Sequence, residues 1–151
     1  MMQLYKALAT VFGIGYISKG GGTVAAAVCC VAWYFAFAGL SSPMLVAGIV
    51  LFITAIGIWC SSMVEPAWGK DSSRVVIDEV AGMGISLLFL PVTLPYILTG
   101  FILFRFFDIV KPLFIRKLEI LPGGWGVMLD DVLAGIYSNI LLQTAFYFRW
   151  F

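Results

Sequence analysis

The chain reads as long apolar stretches separated by short polar punctuation. Residues 24–40 are apolar and uncharged, slightly short for a perpendicular membrane span but adequate where a bilayer is thin. Ser41-Ser42-Pro43 predicts a tight turn, and 44–64 is long enough for a full span. Residues 65–74 form a polar loop in which Trp68 suits an interfacial anchor. A last apolar run covers 132–148, preceded by a flexible loop at Pro122-Gly123-Gly124-Trp125-Gly126. At the start, 1–12 predicts a short amphipathic helix at a membrane surface, with Tyr5 and Lys6 near headgroups. Gly13-Ile14-Gly15 then opens a loop that runs to Gly20-Gly21-Gly22-Thr23. Three consecutive glycines are poor helix interior.

The segment 75–107 has two readings, because Pro91 and Pro95 interrupt it. As one span it places Asp78/Glu79 and Arg105/Asp108 on opposite membrane faces. As two short helices of about 12–16 residues joined across the prolines, it places both on one face. The hairpin is preferred for two reasons. One shared site can neutralise both charge clusters, whereas separate clusters each need compensation. The loops carrying Lys19, Lys70/Arg74 and Arg105/Lys111/Arg116/Lys117 also fall on one side, the cytoplasmic side by the positive-inside rule. The opposite loops, at Ser41-Ser42 and Pro91–Pro95, carry no charge, and Arg149 is the one cation against the rule. The expectation is an all-α polytopic membrane bundle with a Pro-broken hairpin and a cytoplasmic-face site, in one domain over residues 1–151.

Composition supports a membrane setting. Apolar residues make up 62% of the 151, and charged residues 11%; soluble domains average roughly 45–50% and 25%. The mean hydropathy is +1.06. No basic run or aromatic-basic interleaving points to nucleic acid. No secretory signal is expected, since residues 1–10 lack a charged start, an apolar core and a cleavage site. Cys29, Cys30 and Cys60 sit in apolar stretches without metal-ligand spacing and read as small hydrophobes. Histidine is absent, which removes histidine bases and histidine-ligated zinc. Chemistry must come from carboxylates, Lys, Arg, hydroxyls and a metal.

The acids are the conspicuous chemistry. Asp78-Glu79 lies in Val75-Val76-Ile77-Asp78-Glu79-Val80-Ala81-Gly82. Asp130-Asp131 lies in Gly126-Val127-Met128-Leu129-Asp130-Asp131-Val132-Leu133-Ala134-Gly135. Each pair reads as the start of a membrane helix. Carboxylates at a helix N-terminus gain about 0.3–1 kcal/mol from the helix dipole, which explains one acid per helix better than two. Adjacent acids facing apolar surroundings are costly unless a cation neutralises them, and oxygen-only ligands suit Mg²⁺ or Mn²⁺. Arg105, Asp108 and Lys111 are spaced three apart on one helix face. They form either an interfacial ion-pair ladder or a metal-binding carboxylate flanked by cations for an anionic group. Lys111 precedes Pro112, so the helix is expected to end there. The glycines before Thr23 could present backbone N–H groups to phosphate, or serve as a flexible connection with Thr23 as N-cap. Ser72, Ser73 and Ser138 have no base paired with them by any readable motif.

These strings together resemble the phosphatidylglycerophosphatase A family. The resemblance rests on Phe104-Arg105-Phe106-Phe107-Asp108-Ile109-Val110-Lys111-Pro112, on the Asp130-Asp131 string, and on Val76-Ile77-Asp78-Glu79-Val80-Ala81-Gly82-Met83. It covers nearly the whole chain in order and spacing. The N-terminal motif departs from the family pattern: Ser18 and Gly21 replace prolines, and Ala25-Ala26 stand where Gly-Ser is common, while Gly22-Thr23 remain.

The resemblance implies a Mg²⁺-dependent phosphatase of bacterial inner membranes that converts phosphatidylglycerophosphate to phosphatidylglycerol. On this reading Asp78, Glu79, Asp108, Asp130 and Asp131 surround one or two Mg²⁺ ions. Asp78, Glu79, Asp131 and Lys111 act in catalysis, with Glu79 or Asp131 taking a proton from water. Arg105, Lys111, Gly22 and Thr23 hold the phosphate. A CDP-alcohol phosphotransferase would need Asp-x-x-Asp-Gly followed by Ala-Arg and two further acids, and no such string occurs. A transporter would place its acids mid-span, with the broken helix as its path.

Overall fold

The computed structural model describes residues 1–17, 19–39 and 42–150; Ser18 of the departing motif and Ser41 of the expected turn lie outside them. Seven α-helices and one 3₁₀ turn follow in order: α1 Met2–Ala9, the turn Ile14–Tyr16, α2 Gly21–Phe37, α3 Pro43–Trp68, α4 Ile77–Ser86, α5 Leu94–Val110, α6 Ile115–Leu118 and α7 Gly124–Tyr147. No strand occurs among the described residues. Of these helices, α3 and α7 are long and apolar enough to cross a membrane; α2 is apolar but has 17 residues.

The prolines act as the pattern predicts, with shifted boundaries. The segment 75–107 is two helices, α4 and α5, and Pro95 sits in the first turn of α5, where its missing N–H is harmless. Yet α4 ends at Ser86, so it has only 10 residues, shorter than the expected arm. Its end is buried beside α7, which supplies the missing partners. Asn139 Nδ2 donates to the carbonyls of Ser86 (3.0 Å) and Leu88 (2.9 Å), and Gln143 Nε2 donates to Leu88 (3.0 Å). A buried helix end survives only when its last carbonyls find such donors.

Three other boundaries differ from expectation. α2 starts at Gly21, so Gly22 and Thr23 are in its first turn; the cap is Gly20, in the left-handed region at φ 82°. Thr23 is therefore not the N-cap. α3 continues to Trp68 and carries Pro66 inside it, so the polar loop begins at Gly69. α7 begins at Gly124, well before 132, so Asp130 and Asp131 lie in its second turn and not at its start. Helix-start capping therefore cannot explain that pair. Ser42 does cap α3, accepting from Leu45 N at 3.4 Å.

α4 is the central element. Met83 and Leu87 join Trp33, Val50, Phe104 and Leu142 in one buried cluster; Ile77 and Ala81 join Cys60, Val64 and Met128 in another. α4 crosses α7 where Gly82 meets Gly135. A Cβ on Gly135 would lie 3.1 Å from the Gly82 carbonyl carbon, and one on Gly82 would lie 2.6 Å from Asp131 O. Only glycine permits so close an approach here. The start of α7 is held to α3 by Ser62, whose hydroxyl accepts from Gly124 N at 2.9 Å. Outward faces stay apolar: Leu51, Phe52, Leu98, Ile102 and Ile140 are all more than half exposed. An exposed apolar surface this extensive calls for a partner phase.

Candidate active site

Five elements meet at one end of the bundle: the start of α2, the loop after α3, the start of α4, the end of α5 and the second turn of α7. They enclose a cavity of about 270 Å³ lined by Gly20, Gly21, Gly22, Asp78, Glu79, Arg105, Asp108, Lys111, Asp130 and Asp131, with Asp71, Ser72 and Ser73 on the loop side. The sequence spacing explains the gathering. Asp78 precedes Gly82 by four residues, and Asp131 precedes Gly135 by four. Each acid thus lies one turn before its glycine on the same helix face. Since α4 and α7 touch at the glycines, the two acids face each other a turn earlier.

The five acids divide by partner. One oxygen each from Asp78, Glu79 and Asp131 lies within 4.8 Å of the others. Asp108 is instead paired with Arg105 Nη1 at 2.5 Å, and the same nitrogen is 4.0 Å from Glu79. Asp130 is paired with Lys111 Nζ at 2.6 Å and accepts from Asp131 N at 3.0 Å. Lys111 Nζ also binds Glu119 at 2.6 Å. Burial pulls the lysine's pKa down, but its bonds to Asp130 and Glu119 outweigh that and raise it, so it stays cationic.

Among the described residues, the triad's three carboxylates have only one cation in reach, Arg105 at 4.0 Å from Glu79, and that cation is already paired with Asp108. Asp78 Oδ1 and Glu79 Oε2 are buried with no hydrogen-bond partner, as is Arg105 Nε. Asp131 is 3% exposed. Such a cluster is costly unless a cation sits within it, and an all-oxygen set fits a hard divalent ion. The residues present therefore fit a divalent metal, with Asp78, Glu79 and Asp131 as the donors.

Of the other residues singled out in the sequence, Gly22 packs directly on Glu79, whose carboxylate a Cβ would strike. Thr23 is exposed and does not line the cavity. Lys111 leaves the helix face it was expected to share with Arg105 and Asp108, because it takes a left-handed conformation (φ 48°, ψ 55°) after α5 ends. Glu119 carries no signal in the sequence, because its link to Lys111 spans a turn and a short helix. Asp71 carries no spacing signal, and no motif pairs Ser72 or Ser73 with a base.

Cations beside a buried oxygen cluster, at the end of an apolar helical bundle, are equipment for phosphate esters of lipids. The class is that of the phosphoric monoester hydrolases acting on lipid. Residues 7–146 match the model of the phosphatidylglycerophosphatase A family, and the chain belongs to that family. It is 32% identical to phosphatidylglycerophosphatase A of Escherichia coli over 94% of this chain and 83% of that protein. It is 47% identical to the phosphatidylglycerophosphatase A of Haemophilus influenzae over 48% of this chain and 45% of that one. A Bacteroides thetaiotaomicron protein, provisionally named phosphatidylinositol-3-phosphatase, is 43% identical over 95% of this chain and 92% of its own length. No solved structure matches the chain.

Proposed function

We propose that the protein hydrolyses the terminal phosphate of phosphatidylglycerophosphate to give phosphatidylglycerol, using Mg²⁺ held by Asp78, Glu79 and Asp131. The observation that carries this is the buried triad with orphaned oxygens, sharing its cavity with Arg105 and Lys111. When bound, Mg²⁺ supplies charge stabilisation at the phosphoryl oxygens and acidifies water. Arg105 is positioned to bind phosphoryl oxygens through its free Nε edge. The N-terminus of α2, capped by no side chain, adds backbone N–H groups and dipole charge from the glycines. Glu79 or Asp131 accepts the proton of the attacking water; the phosphorus–oxygen ester bond breaks and the headgroup hydroxyl takes up a proton. Asp130, neutralised by Lys111, orients the Asp131 turn through its backbone bond and is a weaker candidate for the metal. Asp108 holds Arg105 in place.

The same reading puts the bundle in the bacterial inner membrane as a multi-pass protein, with the site at the cytoplasmic face. The lipid tails remain among the apolar outward faces. Lys70, Arg74, Arg105, Lys111, Arg116 and Lys117 belong to the site end, and Arg149 follows α7 at the other, the bias the positive-inside rule describes. The Bacteroides relative's name favours a second substrate, a phosphatidylinositol phosphate, for the same site. Phosphate release from both lipids by purified protein in neutral detergent, with Mg²⁺ and then with EDTA, tests the proposal. Faster, EDTA-sensitive release from phosphatidylglycerophosphate is expected. Release that ignores EDTA would remove the metal from the mechanism, and preference for the inositol lipid would favour the second substrate.

A further inference from the structure

The loop between α3 and α4 supplies a wall of the catalytic cavity that the phosphate chemistry leaves unused. Asp71, Ser72 and Ser73 line that wall. Ser72 is engaged within the loop: its Oγ accepts from Arg74 N at 3.5 Å, and its carbonyl accepts from Val75 N at 2.9 Å. The other two side chains are not engaged. Among the described residues, the Asp71 carboxylate and the Ser73 hydroxyl have neither a hydrogen bond nor an ion pair. Asp71 is also not one of the three acids whose oxygens converge for a metal. The loop holds both residues in place. Val76 N donates to Ala9 O at 2.9 Å, Gly15 packs directly against the Arg74 carbonyl, and Arg74 Cζ lies 5.6 Å from the Trp68 ring centroid. Asp71 itself takes a left-handed backbone (φ 52°), a conformation that aspartate tolerates better than most residues.

The chemistry of this pair is narrow. An ionised carboxylate only accepts hydrogen bonds, while a serine hydroxyl both donates and accepts. Together they fit an alcohol, whose O–H donates to Asp71 and whose oxygen accepts from Ser73. The cavity, about 270 Å³, is at the small end of ligand sites, which start at about 300 Å³. It takes the phosphate with a short stretch of headgroup and leaves the tails outside. We propose that Asp71 and Ser73 bind the headgroup hydroxyl on the carbon next to the one bearing the scissile phosphate. The inference rests on the lipid-phosphatase reading above. Phosphatidylglycerophosphate has that hydroxyl, and so does a phosphatidylinositol 3-phosphate; phosphatidate has an acyl ester there. The loop therefore selects polyol phosphates, and it acts on specificity and not on the phosphoryl step.

The test uses the full-length protein in neutral detergent with two lipids. One is phosphatidylglycerophosphate; the other is its analogue with 1,3-propanediol in place of the headgroup glycerol, so that only the hydroxyl is missing. Wild type should prefer the natural lipid about tenfold in kcat/KM, the scale of one hydrogen bond to a charged group. A fully buried hydroxyl site would reject the analogue about 10⁴-fold, but Asp71 and Ser73 are solvent-exposed. In Ser73→Ala, and in Asp71→Gly, which keeps the left-handed backbone, the preference should shrink toward one, because only the hydroxyl-bearing lipid loses a partner. A preference that persists at its wild-type size in both variants overturns the inference, and so does a wild type that turns over the two lipids equally. An equal loss on both lipids, with more Mg²⁺ needed for half-maximal activity, overturns it too and puts Asp71 with the metal. The Ser73 side chain is exposed and unbonded, so Ser73→Ala gives the answer even where Asp71→Gly is unstable. Wild-type protein that releases no phosphate from either lipid would instead condemn the phosphatase reading, and this inference with it.

Discussion

At the residue scale, the carboxylates are not equivalent despite their similar sequence settings. Asp131 is buried with one oxygen within 4.8 Å of oxygens of Asp78 and Glu79, while Asp130, its neighbour, is paired with Lys111. Asp131→Asn should abolish Mg²⁺-dependent phosphate release, a loss of about a hundredfold or more, with the protein still folded in detergent. Retained turnover would remove Asp131 from the machinery. Lys111→Met has a different expected signature. It strands Asp130 in a nearly dry site, so the cost is about 3 kcal/mol of stability, read as a lowered melting temperature alongside reduced activity. A variant as stable as wild type would show that the Lys111–Asp130 bond carries little energy.

At the element scale, the geometry of the site depends on how closely α4 and α7 approach. Gly82 and Gly135 set that distance, and the acids one turn earlier inherit it. Gly135→Leu should cost about 1–3 kcal/mol through overpacking and raise the Mg²⁺ concentration needed for half-maximal activity, even where the protein still folds. Unchanged metal dependence in a folded variant would separate the crossing from the site. The far end of α4 is equally specified. Asn139→Leu leaves the Ser86 carbonyl without its α7 donor and reduces what Leu88 receives, at an expected cost of about 1–3 kcal/mol, measurable by thermal melting in detergent.

At the scale of the molecule, the helix directions send every acid and most cations to one end. The proposed membrane topology follows from this and can be mapped with single cysteines placed at 70, 117, 42 and 93 after Cys29, Cys30 and Cys60 are replaced. An impermeant thiol reagent should label 70 and 117 from one face and 42 and 93 from the other. Labelling of 70 and 93 from the same face would undo the hairpin. Metal binding should also register globally. Mg²⁺ at about a hundred times its dissociation constant adds about 2.7 kcal/mol to the folded state, so EDTA should lower the melting temperature of wild type and leave that of Asp131→Asn nearly unmoved.

Much of this was legible in the chain because it depends on local chemistry. Hydrophobic run lengths marked the long helices, Pro91 and Pro95 marked the break between α4 and α5, and paired acids in apolar settings marked the site, since each follows from what a residue type costs in its surroundings. Their limits were not legible. α4 ends at Ser86 because Asn139 and Gln143, more than fifty residues later, accept the role of its missing helical turn. Asp130 and Asp131 fall within α7 because Gly124 can dock on Ser62. The division of five acids into a triad and two ion pairs depends on distances across helices, as does the link from Lys111 to Glu119. The sequence by itself determined which groups need a cation. Only the tertiary structure decided which acids find a cation in the chain and which do not, because a charge is neutralised by what lies within a few ångströms and the chain order does not encode that proximity.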